Sequence, residues 1–155
     1  MSKILLFLYL SLFIMRDGFA QEKEDYYLVA KAVLKREKAR SNLIDSAYNI
    51  NFQDCFPPVF SRLQLTIKDS LSVIRQIRKA SNFRWEKGRL ANAIIPKSKA
   101  RQTPYRNWIA LSIPIFIDHN RVLILLDTLD GGQIFYLMKQ NNCWIIKDKL
   151  CPYYY

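Results

Sequence analysis

The sequence predicts an α+β domain in which two amphipathic helices pack on a carboxyl-terminal antiparallel β-meander of about four strands. Two segments before residue 81 repeat apolar residues with the helical period, whereas residues 108–147 alternate apolar and polar residues between short turns. The chain has 155 residues, half of them hydrophobic, so it is long and apolar enough to bury one core and is not a disordered chain.

Residues 1–20 have the order of a secretory signal peptide. A positive start precedes the uncharged run Ile4–Met15, and Gly18-Phe19-Ala20 forms a small-x-small cleavage pattern. The run is shorter than the ~20 residues of a membrane-spanning helix, although an uncleaved anchor or a buried helix are alternatives. We expect cleavage after the alanine, which leaves residues 21–155 as a single domain without a transmembrane span.

The first predicted helix covers residues 24–40. Its apolar face holds Tyr26, Val29, Ala30, Val33 and Leu34. Its opposite face holds Lys31, Lys35 and Lys38. Residues 46–52 then alternate apolar residues with asparagine, which predicts a strand, and Pro57-Pro58 is expected to block any helix there.

The second predicted helix begins near Thr66–Asp69 and ends near Ala80. Its apolar arc holds Leu71, Val73, Ile74 and Ile77. Residues 82–106 lack a clear period and contain many bases, so we predict that this part of the domain is irregular and basic, with short strands.

The last third of the chain predicts the meander, because strand patterns are separated by short loops rich in Asn, Asp and Gly. The predicted strands are Trp108–Ile117, Val122–Thr128, Gln133–Lys139 and Cys143–Lys147. The middle strands are apolar on both faces, which indicates a sheet that is covered on both sides. We expect the two helices to cover one face, and irregular chain or a partner to cover the other.

The three cysteines are read in the light of export, which permits disulfides. An odd number leaves at least one thiol unpaired within the chain. We favour a Cys143–Cys151 pair across a short strand and turn, while three free thiols or a Cys55–Cys151 pair are the alternatives. The sequence has no CxxC motif and a single histidine, so no metal site or cofactor is predicted.

Catalytic residues are few. His119 is the only histidine and lies in a predicted hairpin turn, which is typical of an exposed side chain. Asp127 lies at the end of an apolar strand and is expected to face water. A small secreted hydrolase that uses Asp127 or His119 is therefore the rival interpretation, and a pocket that holds both would favour it.

Charge is concentrated in one stretch of the chain. The formal net charge is +11. Residues 61–106 contain twelve bases and two acids, whereas residues 21–60 and residues 107–155 each balance to zero. The mature chain is thus a neutral scaffold that carries one basic segment.

The basic segment predicts a non-enzymatic exported protein that binds or scaffolds through charge. An anionic envelope polymer or an acidic protein fits an exported chain better than nucleic acid does. A subunit of a larger envelope assembly is a further alternative, and the sequence does not predict the oligomeric state. The candidate anion-binding residues are Arg75, Lys79, Arg84, Lys87, Arg89, Lys97, Lys99 and Arg101.

The last third also resembles a group of small exported bacterial proteins of unknown function, through a tryptophan, an S-x-P-x-F run, a glycine turn, an aromatic strand and an asparagine turn before a second tryptophan. The matching residues are Trp108, Ser112, Pro114, Phe116, Gly131, Gly132, Tyr136, Leu137, Asn142 and Trp144. Phe83 and Trp85 match an upstream F-x-W. Relatives often carry a cysteine beside the glycine turn, where this chain has Leu129-Asp130. The resemblance implies export and fold, and it implies no activity.

Overall fold

The fold is α+β with a β-rich carboxyl-terminal part, as the sequence predicts. A computed structural model describes residues 23–38, 41–47, 56–79, 83–100, 108–128 and 131–154, so the predicted signal peptide lies outside the described residues. The helices are α1 (residues 23–36), α2 (Phe56–Arg62), α3 (Ile67–Lys79) and α4 (Lys97–Ala100). The strands are β1 (Asn42–Ile44), β2 (Ile94–Ile95), β3 (Trp108–Leu111), β4 (Ile115–Phe116), β5 (Arg121–Thr128), β6 (Gly131–Gln140) and β7 (Cys143–Tyr154).

The sheet is larger than the predicted meander, and it is mixed. Its seven strands run in the order β2-β1-β3-β5-β6-β7, with β4 paired to β5 beside this path. Neighbours from β3 to β7 are antiparallel, whereas β1 is parallel to both β2 and β3. Parallel neighbours need a long crossover connection. In the sequence, α2 and α3 lie between β1 and its two neighbours in the sheet, β2 and β3. Local alternation of residues could not reveal that pairing.

The predicted strand Trp108–Ile117 is divided into β3 and β4 around Ser112. The Ser112 hydroxyl is buried, accepts a hydrogen bond from Leu125 N at 2.9 Å and donates one to Ile113 O at 2.9 Å. Pro114 has no N–H to give to a ladder, so the strand pattern breaks here although the residues still alternate. The β6–β7 hairpin turns at Asn141 and Asn142, with φ of 48° and 60°, which asparagine tolerates well.

The helices cover both faces of the sheet, which corrects the expectation that they share one face. Along β5, Val122, Ile124 and Leu126 belong to the core that contains the apolar face of α1. The alternate residues Leu123 and Leu125 pack with Val59 of α2 and Val73 of α3. Alternate side chains of a strand point to opposite faces, so α1 lies on one face and α2 and α3 lie on the other.

Helix α2 corrects a second expectation, since Pro57-Pro58 does not block a helix. Both prolines lie in the first turn of α2, where backbone N–H groups have no acceptor within the helix and proline is tolerated. Of the predicted strand 46–52, Ser46 forms an isolated bridge with Arg84, and residues 48–52 lie outside the described residues.

Helix α1 is attached to the sheet at both ends. Near its start, Asp25 Oδ1 accepts hydrogen bonds from Lys139 Nζ and Trp144 Nε1, each at 3.2 Å. Just past its end, Glu37 Oε2 accepts one from Gln133 Nε2 at 3.3 Å. Twelve helical residues rise about 18 Å and the six strand residues from Gln133 to Lys139 span about 20 Å. The matching lengths explain how α1 lies antiparallel to β6 with both ends bound.

Candidate anion-binding surface

Helix α3 carries four bases of the basic segment, and it begins with a reciprocal cap. Asp69 N donates to Thr66 Oγ1 at 3.1 Å, and Thr66 N donates to Asp69 Oδ2 at 3.2 Å. This capping box satisfies two backbone donors at the helix start. Asp69 Oδ2 also lies 3.9 Å from Arg121 Nη2. Asp69, one of the two acids in residues 61–106, therefore stabilises the start of the helix.

One side of α3 is tied to the sheet, which determines what the other side exposes. Val73 is fully buried, and the Gln76 amide hydrogen-bonds the backbone of Phe116. The opposite side, here called the outer face of α3, consists of Ile67, Lys68, Leu71, Arg75 and Arg78. Ile67 is 82% exposed and Leu71 49% exposed, although Leu71 was expected on the buried arc. The outer face thus combines two aliphatic side chains with three cations.

The loop after α3 is held on α1 by aromatic and charged contacts. Trp85 is 3% exposed and packs edge-on against Tyr27, with ring centroids 5.6 Å apart. Glu86 N donates to the Tyr27 hydroxyl at 3.0 Å. The Arg89 guanidinium lies over the Tyr27 ring, 4.2 Å from its centroid, and pairs with Glu24. Arg89 is therefore part of the loop's attachment, and its charge is already matched.

The second acid of the basic segment, Glu86, is also paired. Its carboxylate forms an ion pair with Lys23 of α1. The hydrogen bond from Lys23 holds the pKa of Glu86 below its ordinary value, and the same bond raises the pKa of Lys23. Both acids of residues 61–106 therefore already have partners: Asp69 caps α3 and lies near Arg121, and Glu86 pairs with Lys23.

Asp45, just after β1, draws two parts of the basic segment together. Arg84 Nη1 lies 3.4 Å from its Oδ2, and the backbone N–H of Lys97 donates to Oδ1 at 3.3 Å. The Arg84 side chain remains 78% exposed. An exposed pair of this kind contributes little stability, so this contact adds little to the attachment of the loop.

The structure describes the side chains of six of the eight predicted site residues, and these fall into three groups. Arg75, Lys87 and Lys97 are exposed and form no ion pair with the described residues. Lys99 is exposed on α4, and it has an interaction partner. Arg84 is paired with Asp45, and Arg89 with Glu24 of α1 and Glu86 of its own loop. The side chain of Lys79 and all of Arg101 lie outside the described residues, so the predicted patch is described only in part.

A second basic surface lies on α1 and just past its end, where the sequence pattern places three lysines but the charge count over residues 21–60 gives zero. Its described acids point toward the sheet and the loop: Glu24 binds Arg89, Asp25 binds Lys139, and Glu37 binds Lys149 at 2.7 Å. The exposed bases left on the outside are Lys31, Lys35, Arg36 and Lys38. The acids pair with residues up to 114 positions away, so a count over residues 21–60 balances charges that the fold separates.

The structure does not bring together the two residues of the hydrolase interpretation. Asp127 is 1% exposed and lies opposite Gly132 and Ala110 in the ladder, so the expectation that it faces water was wrong. His119 is exposed in the turn before β5, beside Asn120. The six residue steps from Arg121 to Asp127 span about 20 Å, and they place the two side chains at opposite ends of β5. One pocket does not hold them both.

The favoured disulfide is also incompatible with the structure. Cys143 is a free, exposed thiol, and β7 extends from Cys143 to Tyr154 with two register shifts against β6. Cys143 and Cys151 are therefore eight strand residues apart, about 26 Å, whereas a disulfide needs Cα atoms within about 7 Å. The predicted turn between the two cysteines is in fact part of the strand. Cys55 lies outside the described residues.

Neither a metal-binding cluster among the described residues nor a known family identifies the surface. Across the described ranges, no three His, Cys, Asp or Glu side chains cluster in a way that would bind a metal ion. None of the helices in those ranges combines the length and the hydropathy of a membrane span. Comparison of the chain with protein-family models, curated protein sequences and solved structures found no match.

Proposed function

We propose that the protein is an exported, non-catalytic binding protein whose basic segment, residues 61–106, takes an anionic partner at the cell envelope or outside the cell. One observation carries the proposal: the two acids of this segment are engaged, while exposed bases of the same segment have no ion pair among the described residues. Those bases are Lys68, Arg75, Arg78, Lys87 and Lys97.

The mechanism is attraction between this surface and a polymer or protein surface of opposite charge. Bases that are not already paired keep their full attraction for a new anion, and that attraction is screened by salt over about 10 Å at moderate ionic strength. The loop that carries Lys87 is anchored by buried Trp85 and by Tyr27, so little chain has to be ordered when a partner binds.

Affinity for immobilised heparin, used as a sulfated polymer probe, tests the proposal. We compare the wild-type chain with a variant that carries Arg75→Gln, Arg78→Gln, Lys87→Gln and Lys97→Gln. The matched control removes four bases from α1 through Lys31→Gln, Lys35→Gln, Arg36→Gln and Lys38→Gln. We expect the first variant to elute at much lower salt than the wild type, and the control to elute later than that variant.

Two results would count against the proposal. Failure of the wild-type chain to bind heparin at low salt would remove the basic segment as a binding surface. A loss confined to the α1 variant would move the binding surface to α1.

Export is tested separately, by the mass of the protein that a secreting host releases. Removal of residues 1–20 leaves 135 residues, and a released protein of that length supports the proposed leader. A full-length protein that stays inside the cell contradicts it.

A further inference from the structure

The outer face of α3 combines exposed aliphatic side chains with bases, whereas attraction of an anion by charge requires only the bases. Ile67 and Leu71 are one turn apart and are among the most exposed large hydrophobic residues of the described chain. With 3.6 residues per turn, Arg78 falls on the same line, while Lys68 and Arg75 flank it on one side. None of the described side chains on this face is acidic.

The outward direction of this face is set by contacts on the other side of the helix. Val73 is fully buried, and the Gln76 amide is bonded to Phe116 at 2.7 Å and 2.9 Å. Rotating α3 to bury Ile67 would break both hydrogen bonds and expose Val73. The two aliphatic side chains are therefore held in water by the fold.

We propose that α3 lies on an anionic lipid membrane surface, with Ile67 and Leu71 entering the boundary between headgroups and acyl chains. Arg75, Arg78 and Lys68 then contact lipid phosphates. A helix with an apolar stripe and flanking bases is typical of interfacial binding, and long arginine side chains keep the charge at headgroup level while the stem lies in apolar surroundings. This inference rests on the proposed function, because it names the partner of the same basic segment.

Charge and size favour lipid over a protein partner. A protein interface of standard size buries roughly 800 Å² on each side, with large aromatic side chains prominent in its core. The outer face of α3 offers two aliphatic side chains and cations on a convex helix. A membrane needs no matching shape, and each base near an anionic leaflet adds to the attraction.

Sedimentation with vesicles tests the proposal, using phosphatidylcholine vesicles with and without phosphatidylglycerol. The chain is expressed with residues 1–20 in place and purified as the host processes it, so every variant shares the same amino terminus. We expect the wild type to bind the anionic vesicles, and Ile67→Gln with Leu71→Gln to weaken that binding about tenfold. Arg75→Gln with Arg78→Gln should weaken it about thirtyfold and should also lower affinity for heparin.

A matched control removes exposed apolar side chains elsewhere. Leu28 on α1 is 39% exposed and Ile145 on β7 is 40% exposed, and Leu28→Gln with Ile145→Thr should bind the vesicles as the wild type does. Heparin affinity of the Ile67→Gln and Leu71→Gln variant should be unchanged. That combination separates insertion into lipid from charge attraction alone.

Several outcomes would overturn the proposal. Equal vesicle binding by the wild type and the Ile67→Gln, Leu71→Gln variant, with heparin affinity intact, overturns the insertion of these two side chains into lipid and leaves the proposed function standing. A wild-type chain that binds neither heparin nor anionic vesicles removes both. Concentration-dependent dimers that disappear in the same variant, without vesicle binding, assign the face to a second copy of this chain.

Discussion

Gln76 hydrogen-bonds the backbone of Phe116 through both ends of its side-chain amide. Nε2 donates to the Phe116 carbonyl at 2.7 Å, and Oε1 accepts from the Phe116 N–H at 2.9 Å. Phe116 lies in the two-residue strand β4, whose neighbour in the sheet is β5. The amide of Gln76 therefore takes the place of a second neighbouring strand, and it joins α3 to the sheet.

Replacement of Gln76 by alanine should be costly because it leaves two partly buried backbone groups without partners. We expect the free energy of unfolding to fall by roughly 1–3 kcal/mol, measured by urea denaturation. Gln140→Ala, at an exposed position that ends β6, is the control and should change stability by less than about 0.5 kcal/mol. Equal stabilities for the two variants would show that the amide contact has no energetic importance.

Two buried tryptophans differ in the fate of their indole N–H. Trp144 Nε1 donates to Asp25 at 3.2 Å, whereas Trp85 Nε1 is buried and has no hydrogen-bond partner among the described residues. Trp85 is instead surrounded by rings, with Tyr27 and Phe83 both edge-on to it. An unpaired buried donor reduces stability, so the two positions should respond differently to loss of the N–H.

Phenylalanine at each position tests that difference. We expect Trp144→Phe to destabilise the fold more than Trp85→Phe, by about 1 kcal/mol, because only the former leaves a carboxylate oxygen without one of its donors. Thermal unfolding followed by circular dichroism measures both. Asp25→Asn should fall between wild type and Trp144→Phe, since the amide oxygen still accepts from Trp144. A larger loss for Trp85→Phe would contradict the assignment.

Local sequence patterns predicted the elements whose neighbours in the chain are also neighbours in space. The helical period marks α1 and α3, and the Asn141-Asn142 turn marks the hairpin between β6 and β7. Gly131 and Gly132, which were expected in a turn, lie in β6 and pair with β5. Each of these signals lies within about ten residues. The α+β class follows from them, because helices come first and antiparallel strands follow.

Contacts between distant residues explain what the sequence could not predict. The phase of α3 depends on Gln76 meeting Phe116, 40 residues away, and that contact turns Leu71 outward. The surface charge depends on Glu24 meeting Arg89 across 65 residues and on Lys23 meeting Glu86 across 63. A charge count along the chain assigns these partners to different segments. It therefore overestimated how far Arg84 and Arg89 are available to a partner, and it missed the exposed bases on α1.

Stability should depend on pH through Asp118, in the turn before β5. Burial alone would raise the pKa of this carboxyl, but hydrogen bonds from Asn120 N at 2.8 Å and Arg121 Nε at 2.6 Å outweigh it and hold the pKa below its ordinary value. A pKa that is lower in the folded state means that the carboxylate stabilises the fold. That contribution is complete above about pH 5 and is lost as the pH falls through the lowered pKa.

Asp118→Asn should remove this contribution. Urea unfolding of wild type and variant between about pH 2 and pH 7 should give a stability difference near neutrality that shrinks below about pH 4. Arg121→Gln should reduce the same pH-dependent part, because it removes one of the donors that lower the pKa. A difference that stays constant down to pH 2 would show that the carboxylate is not the group that responds.

The free thiol of Cys143 gives a chemical test of the continuous strand β7. Because Cys143 is exposed and opposite Gln140 at the start of the strand, a water-soluble thiol reagent should modify it in the native protein, as peptide mapping would show. Cys143→Ser should change the free energy of unfolding by less than about 0.5 kcal/mol. Recovery of a peptide that links Cys143 to Cys151, or destabilisation by the 2–5 kcal/mol that loss of a native disulfide costs in a small secreted domain, would mean that β7 bends back where the structure has it extended.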